Sequence, residues 1–203
     1  QLPAYLSGLA EHLAGEQQEI LAELKSLTAN VEHINEIVAM QQSYARVLGV
    51  LEKLPVVELV EDALRLDGAA LERHRVKLLR EFADVPPVLM DKHKVLQIPI
   101  NLIRNAKYAL DDGGPEEKRL TVRVGRSGEK AVSISVSDNG VGIPVENLTR
   151  IFEHGFTTRK QGHGFALHNG ALAAKELGGS LSAQSEGPGQ GATFTLTLPL
   201  QAQ

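Results

Sequence analysis

The apolar positions of this chain follow two rhythms. From Ile20 the series Ile20, Leu24, Leu27, Val31, Ile34, Val38, Gln41, Ala45 and Leu48 advances in alternating steps of four and three residues. That is a heptad seam held for about four repeats, and no Gly or Pro interrupts residues 16–48. A stripe this narrow stays wet on an isolated helix, so the pattern predicts a partner helix and a dimeric bundle. Ahead of it, Pro3 suits a first helical turn, and a short helix over 3–14 is expected to break at Gly15. Residues 49–55 read as a linker.

Beyond the linker the rhythm changes. Val57, Val60, Ala63 and Leu64 mark an amphipathic helix over 56–70, and residues 76–82 read as a strand. A long helix is expected over 91–110, with Pro99 kinking it and Asp111-Asp-Gly-Gly-Pro115 stopping it. Residues 120–125 and 131–137 alternate as strands around an Arg126-Ser-Gly-Glu129 turn. A helix over 164–177, capped by Gly178-Gly179, and strands over 181–185 and 192–198 complete the order. Hairpin-joined strands among helices imply an α+β fold, a two-layer α/β sandwich in which a mixed sheet carries helices on one face. The division expected is a helical unit over 1–48, a linker over 49–55 and a second domain over 56–203.

Composition narrows the chemistry. The 203 residues are 42% hydrophobic and carry a formal net charge of -4, a balance that favours neither nucleic acid nor an anionic membrane surface as a partner. With no cysteine, disulfides and thiolate metal sites are excluded. No apolar run is long enough to span a membrane, and no membrane contact by this segment is expected. The start at Gln1-Leu-Pro3, without Met, fits a cut within a longer polypeptide whose sensor or membrane anchor would precede it. A cytoplasmic location is expected for the segment itself.

Four short blocks in fixed order carry the candidate chemistry. Asn101 and Asn105 are four apart on a helix and share a face, and neutral amide oxygens are hard ligands suited to Mg²⁺. Asp138-Asn-Gly140-Val-Gly142-Ile143 follows a strand, and a carboxylate at a strand end can accept from the amino group of adenine while the glycines admit close approach. Gly162-His163-Gly164-Phe165-Ala-Leu167 opens a helix, whose free N–H groups favour phosphate. Gly189-Gln-Gly191-Ala-Thr193-Phe194 leads into the last strand, with the Thr193 hydroxyl near the base. The polar, basic loop Phe152-Glu-His-Gly-Phe156-Thr-Thr-Arg-Lys160-Gln could close as a lid.

Taken in order, these blocks resemble the catalytic ATP-binding domain of sensor histidine kinases, within the wider GHKL superfamily of Bergerat-type folds. The preceding heptad helix resembles the second helix of that family's dimerisation and phosphotransfer bundle. The resemblance implies ATP and Mg²⁺ as ligands, with Asn105 on the metal, Asn101 supporting metal and phosphate, and Asp138 on the adenine amino group. Gly140, Gly142 and Ile143 would line the base pocket, and Gly162, His163, Gly164 and Phe165 would face the phosphates, with Leu167 packing their helix. Tyr108, Phe156, Thr157, Thr158, Lys160 and Thr193 would complete the binding site. The implied partners are a second copy, through residues 16–48, and the receiver domain of a response regulator.

Asn101 separates kinase from hydrolase. In the hydrolysing branch a Glu at that position activates water, which an amide cannot do at neutral pH. Phosphoryl transfer to a histidine is therefore expected, helped mainly by positioning and the metal. The alternatives are a GHKL-type ATP hydrolase, which steady phosphate release would reveal, and a dimerising scaffold without transferase activity. The chain departs from the family pattern at Ala166, in place of a third glycine, and in a lid of about eight residues. Lys107 stands two residues after Asn105 where three is usual, with Tyr108 in the next place. The accepting histidine is normally followed by an acid and shortly by a proline, but His12 precedes Leu-Ala-Gly and His33 precedes Ile-Asn-Glu. The acceptor is therefore expected upstream of Gln1, with residues 2–14 as the last turns of its helix. His93, His154, His163 and His168 read as structural or lid residues.

Overall fold

The computed structural model describes residues 8, 12–24, 27, 31, 51–113, 115–159, 162 and 164–200. Two compact units divide the chain, over residues 1–45 and 46–203. In the first, residues 12–24 form one helix that runs through Gly15. The expected break is not there: a glycine inside a helix costs only about 1 kcal/mol, which the turns on either side tolerate. Residues 12–14 accordingly continue into the following turns instead of ending a separate helix. Ile20, Leu24, Leu27 and Val31 of the seam are exposed. The rest of the seam and His33 lie outside the described residues.

The second unit runs β1 (Leu51–Leu54), α1 (Val56–Arg73), β2 (Lys77–Phe82), β3 (Val88–Asp91), α2 (Lys92–Asp111), β4 (Arg119–Arg126), β5 (Ala131–Asp138), α3 (Ala166–Glu176), β6 (Ser180–Gln184) and β7 (Ala192–Pro199). Two 3-10 turns, Val145–Asn147 and Arg150–Phe152, sit between β5 and α3. A mixed five-stranded sheet has the order β2-β4-β5-β7-β6, with β2 and β4 parallel and the other pairs antiparallel.

Alternation along the strands builds the core. Val132, Ile134 and Val136 of β5 and Phe194, Leu196 and Leu198 of β7 are buried, beneath Val60, Ala63 and Leu64 of α1 and Ile98, Leu102 and Ile103 of α2. The opposite face is hydroxylic: Ser135 bonds Thr195 at 3.1 Å and Ser137 bonds Thr193 at 2.8 Å.

Residues 51–54, assigned to the linker from sequence, form β1, which pairs antiparallel with β3 and buries Leu54 beside Val88 and Met90. This ribbon ends where α2 begins. Asp91 closes β3 and caps α2, its Oδ1 accepting from the His93 and Lys94 amides at 2.9 and 3.3 Å. Helix α2 continues through the buried Pro99 to Asp111.

Candidate functional site

Three structures converge on one end of α2. Asn101, Asn105 and Tyr108 follow one another at steps of four and three along this helix, so they share a face. The Asn101 Oδ1 accepts from Gln97 at 3.2 Å. Among the described residues no side-chain partner engages the half-buried Asn105 amide, which leaves its oxygen available. On the flank facing α1, Arg104 donates to Asp67 at 3.2 Å and fastens the two helices together.

The second structure is the loop after β5. Asp138 is the last residue of the strand and only 9% exposed. Its place in the alternation puts it on the helix side of the sheet, where Gly140 donates to its Oδ1 at 2.9 Å. Burial pushes the carboxyl up to about 6, because the backbone N–H groups around it offset only part of the lost hydration. The loop is tied to its surroundings by main-chain bonds. Val141 donates to the Ala109 carbonyl of α2 at 3.1 Å, Gly189 to Val141 at 2.6 Å, and Gly191 to Gly140 at 3.2 Å. Ile143 donates to the Ser185 hydroxyl at 3.0 Å, which in turn donates to the Gly191 carbonyl at 2.6 Å.

The glycines of this loop are required by the chain itself. A Cβ on Gly140 would press into the Ala109 carbonyl, and one on Gly142 into the Gly187 carbonyl. Gly142 also has a φ of 71°. Both therefore fit backbone against backbone within the chain. Gly191, at φ 70°, meets the Asp138 carbonyl in the same way.

The third structure is the segment ahead of α3. Gly155 donates to the Gly164 carbonyl at 3.2 Å, and a Cβ on Gly164 would strike the Gly155 and Phe156 backbone. His154 lies against Phe165 with ring centroids 4.8 Å apart and edge-on to His168 at 5.2 Å. His168 Nδ1 lies 2.9 Å from the Phe152 carbonyl, which fits a structural role for these histidines. Thr157 Oγ1 accepts from the Arg159 amide at 3.1 Å, Gly162 donates to the Arg159 carbonyl at 3.2 Å, and Thr157 and Thr158 are exposed. Leu167 packs at the edge of the core and Ile143 does likewise. Lys160 and His163 lie outside the described residues.

One placement differs from expectation. Thr193 pairs in register with Ser137 and bonds its hydroxyl on the open face, so its side chain points away from Asp138. The residue opposite Asp138 is Ala192, 6% exposed. One step along a strand reverses the face, and that step decides the point. Two further residues escaped the sequence reading. Arg159 lies over the Tyr108 ring, its guanidinium carbon 3.6 Å from the centroid, and Ser185 braces the Asp138 loop. A lone arginine among lid residues, or a lone serine after a strand, carries no periodic signal.

The residues present can receive a purine nucleotide. The buried Asp138 carboxylate closes one side, the Asn101–Asn105 pair lies on α2, and the segment of Gly155 and Gly164 stands beside them. Residues 90–202 match the family of histidine kinase-, DNA gyrase B-, and HSP90-like ATPases. The chain is 35% identical over 74% of its length to the C4-dicarboxylate transport sensor protein DctS of Rhodobacter capsulatus, covering 23% of that protein. It is 26% identical over 86% of its length to sporulation kinase E of Bacillus subtilis, again covering 23% of the relative. The chain thus spans about a quarter of these relatives. Among solved structures, the catalytic domain of histidine kinase ThkA superposes with a TM-score of 0.65 at 23% identity, over 74% of this chain and 98% of that one. Full-length ShkA in complex with AMPPNP superposes with a TM-score of 0.73 at 20% identity, over 93% of this chain and 40% of that one. With relatives that are sensor kinases and a sheet, helices and site of this form, the chain belongs to the histidine kinase-, DNA gyrase B-, and HSP90-like ATPase family, in its sensor histidine kinase branch.

Proposed function

We propose that this chain is the ATP-binding catalytic part of a two-component sensor histidine kinase, which transfers the γ-phosphoryl group of Mg-ATP to a histidine for relay to an aspartate of a response regulator. The observation that carries it is the buried Asp138 carboxylate at the end of β5, lifted to about 6 by burial, an acceptor suited to an adenine amino group. Asn105 would hold Mg²⁺ with Asn101 supporting it. The ion, when bound, would neutralise phosphate charge. The chain's own residues orient the base, hold the phosphate tail along α2 and leave no carboxylate at 101 to activate water.

The attacking group would be an imidazole delivered from outside this nucleotide unit. Neither His12 nor His33 has the acid and proline that mark the family's acceptor, so this segment is expected to bind ATP without labelling itself. The exposed seam residues Ile20, Leu24, Leu27 and Val31 support dimerisation through 16–48, and a cytoplasmic location goes with the ATP that this reading requires. Among the described residues no helix is long and apolar enough to cross a membrane.

Calorimetry tests the reading. Asp138→Ala and Asn105→Ala should each weaken Mg-ATP binding at least tenfold, and affinities equal to the parent would refute it. Incubation with γ-labelled ATP should leave the chain unlabelled and release phosphate only slowly. Steady release would favour the hydrolase reading.

A further inference from the structure

A single hydroxyl joins the two loops that flank Asp138. Ser185 follows directly on β6 and is half-buried. Its Oγ accepts from the Ile143 amide at 3.0 Å and from the Gly187 amide at 3.3 Å, and donates to the Gly191 carbonyl at 2.6 Å. A hydroxyl has one proton to give and two lone pairs to receive, so these three bonds use all of it. The same two loops are also joined by Gly189 donating to Val141 and Gly191 to Gly140. Of these contacts, the bond from Ser185 to Gly191 bears most directly on the carboxylate.

The Gly191 carbonyl and the Ala192 N–H belong to one planar peptide and point opposite ways. On its far side that N–H bonds the Asp138 carboxyl, and Ala192 is the β7 residue in register with Asp138. A hydroxyl that holds the oxygen of this peptide fixes where its N–H points and polarises it as well. Gly191 packs on the Asp138 main-chain carbonyl so closely that a Cβ would collide with it, so a small rotation of the peptide is felt at the aspartate. No charged side chain shares the task. The residues opposite Asp138 in β4 and β7 are Leu120 and Ala192, and burial against backbone N–H groups sets the carboxyl at about 6.

We propose that Ser185 is a positioning residue for the base-reading carboxylate: through the Gly191–Ala192 peptide its hydroxyl aims a backbone N–H at Asp138, and so sets how that side chain meets a purine amino group. Ser185 touches no ligand in this role. The part that concerns the purine rests on the nucleotide reading above, and the part that concerns Asp138 is a property of the ligand-free chain.

The test uses the full chain with aspartate carrying ¹³C at the side-chain carboxyl, and the resonance of Asp138 identified by its loss in Asp138→Asn. In Ser185→Ala, Asp138 should titrate at a higher pH than in the parent, because a donor is no longer aimed at the anion. Ser185→Thr keeps a hydroxyl and should restore the parent's midpoint. Ser133→Ala removes a hydroxyl that bonds the Gly125 carbonyl elsewhere in the sheet, and this control for a merely structural loss should leave the midpoint in place. Calorimetry at pH 7.5 should find Mg-ATP bound about fivefold more weakly by Ser185→Ala, the size of one neutral hydrogen bond, and within about twofold of the parent by Ser185→Thr and Ser133→Ala. If Ser185→Ala does not fold, Ser185→Cys, with its weaker donor, takes its place under the same expectation. A midpoint that stays with the parent's, or that moves as far in Ser133→Ala, overturns the assignment and leaves the pocket standing. A shifted midpoint combined with Asp138→Ala binding Mg-ATP as well as the parent overturns the nucleotide reading, and with it the part of this inference that concerns the purine.

Discussion

Asp138 holds two requirements in tension. Its carboxyl stands at about 6 in the folded chain against an ordinary 3.8, so between those values the native state carries more protons than the unfolded one. Stability therefore falls as pH rises through that window, and the cost of the buried charge is fully present above about 6. Asp138→Asn removes the charge but keeps an acceptor for the Gly140 amide. Chemical denaturation at pH 7.5 should find it more stable by about 1–3 kcal/mol, with the gain shrinking as pH drops towards 4. Mg-ATP affinity should fall in the same variant, and in the parent below pH 6, where the protonated group no longer accepts a donor as well. Gly140 is constrained by its contact with the Ala109 carbonyl, and Gly140→Ala should cost at least about 2 kcal/mol and melt several degrees lower in a thermal scan. At this scale the sequence was legible in placement: Asp138 stands at the end of a strand and Asn101 and Asn105 share one face of a helix, as the local pattern predicts. It misled where one step of register decided the outcome: Ala192 faces Asp138 and Thr193 turns to Ser137, a distinction set by β5–β7 pairing across more than fifty residues of chain.

Long periodic elements followed from local pattern, and their ends did so only where the chemistry was conventional. Helix α3 closes with Gly178 at φ 72°, Gly178 donating to Lys175 and Gly179 to Ala174, which is the stop expected from a glycine pair. Helix α1 closes with the same two bonds, Arg75 donating to Glu72 at 2.9 Å and Val76 to Leu71 at 3.0 Å. Here a non-glycine residue takes the left-handed position, with φ 55° at Arg75. Nothing in the sequence marks that turn, because the residue occupying it disfavours the conformation it adopts. Arg75→Gly relieves that strain and gives some of it back as unfolded-chain entropy, so a net gain of about 0.5–1 kcal/mol is expected in denaturant titration with nucleotide affinity unchanged. Strand β1 was hidden for another reason. Leu51-Glu-Lys-Leu54 is too short to show alternation, and its partner β3 lies more than thirty residues on. The ribbon they form anchors Leu54 in the core and ends at the Asp91 cap of α2, so the segment read as a linker helps to set where the amide-bearing helix begins.

The arrangement of the whole nucleotide unit explains why its site is assembled from distant pieces. Helix α2 is seated by its buried side chains, the backbone bond from Val141 to Ala109 ties the loop after β5 to it, and the bond from Gly155 to Gly164 closes the segment before α3 on itself. Such a site is ordered by the fold and gives stability back on binding. A ligand that engages only the native state stabilises it by about 2.7 kcal/mol at a hundred times its dissociation constant. If the two units of this chain do separate tasks, that gain belongs to residues 46–203 alone. A fragment lacking residues 1–45 should therefore bind Mg-ATP within about twofold of the full chain and show the same shift in melting temperature. Sedimentation should find this fragment monomeric and the full chain dimeric, since the exposed Ile20, Leu24, Leu27 and Val31 leave with the deleted helix. A full chain that sediments as a monomer would remove the heptad seam from the account while leaving the pocket intact. A fragment that folds but loses nucleotide affinity would show instead that the helical unit contributes to the site.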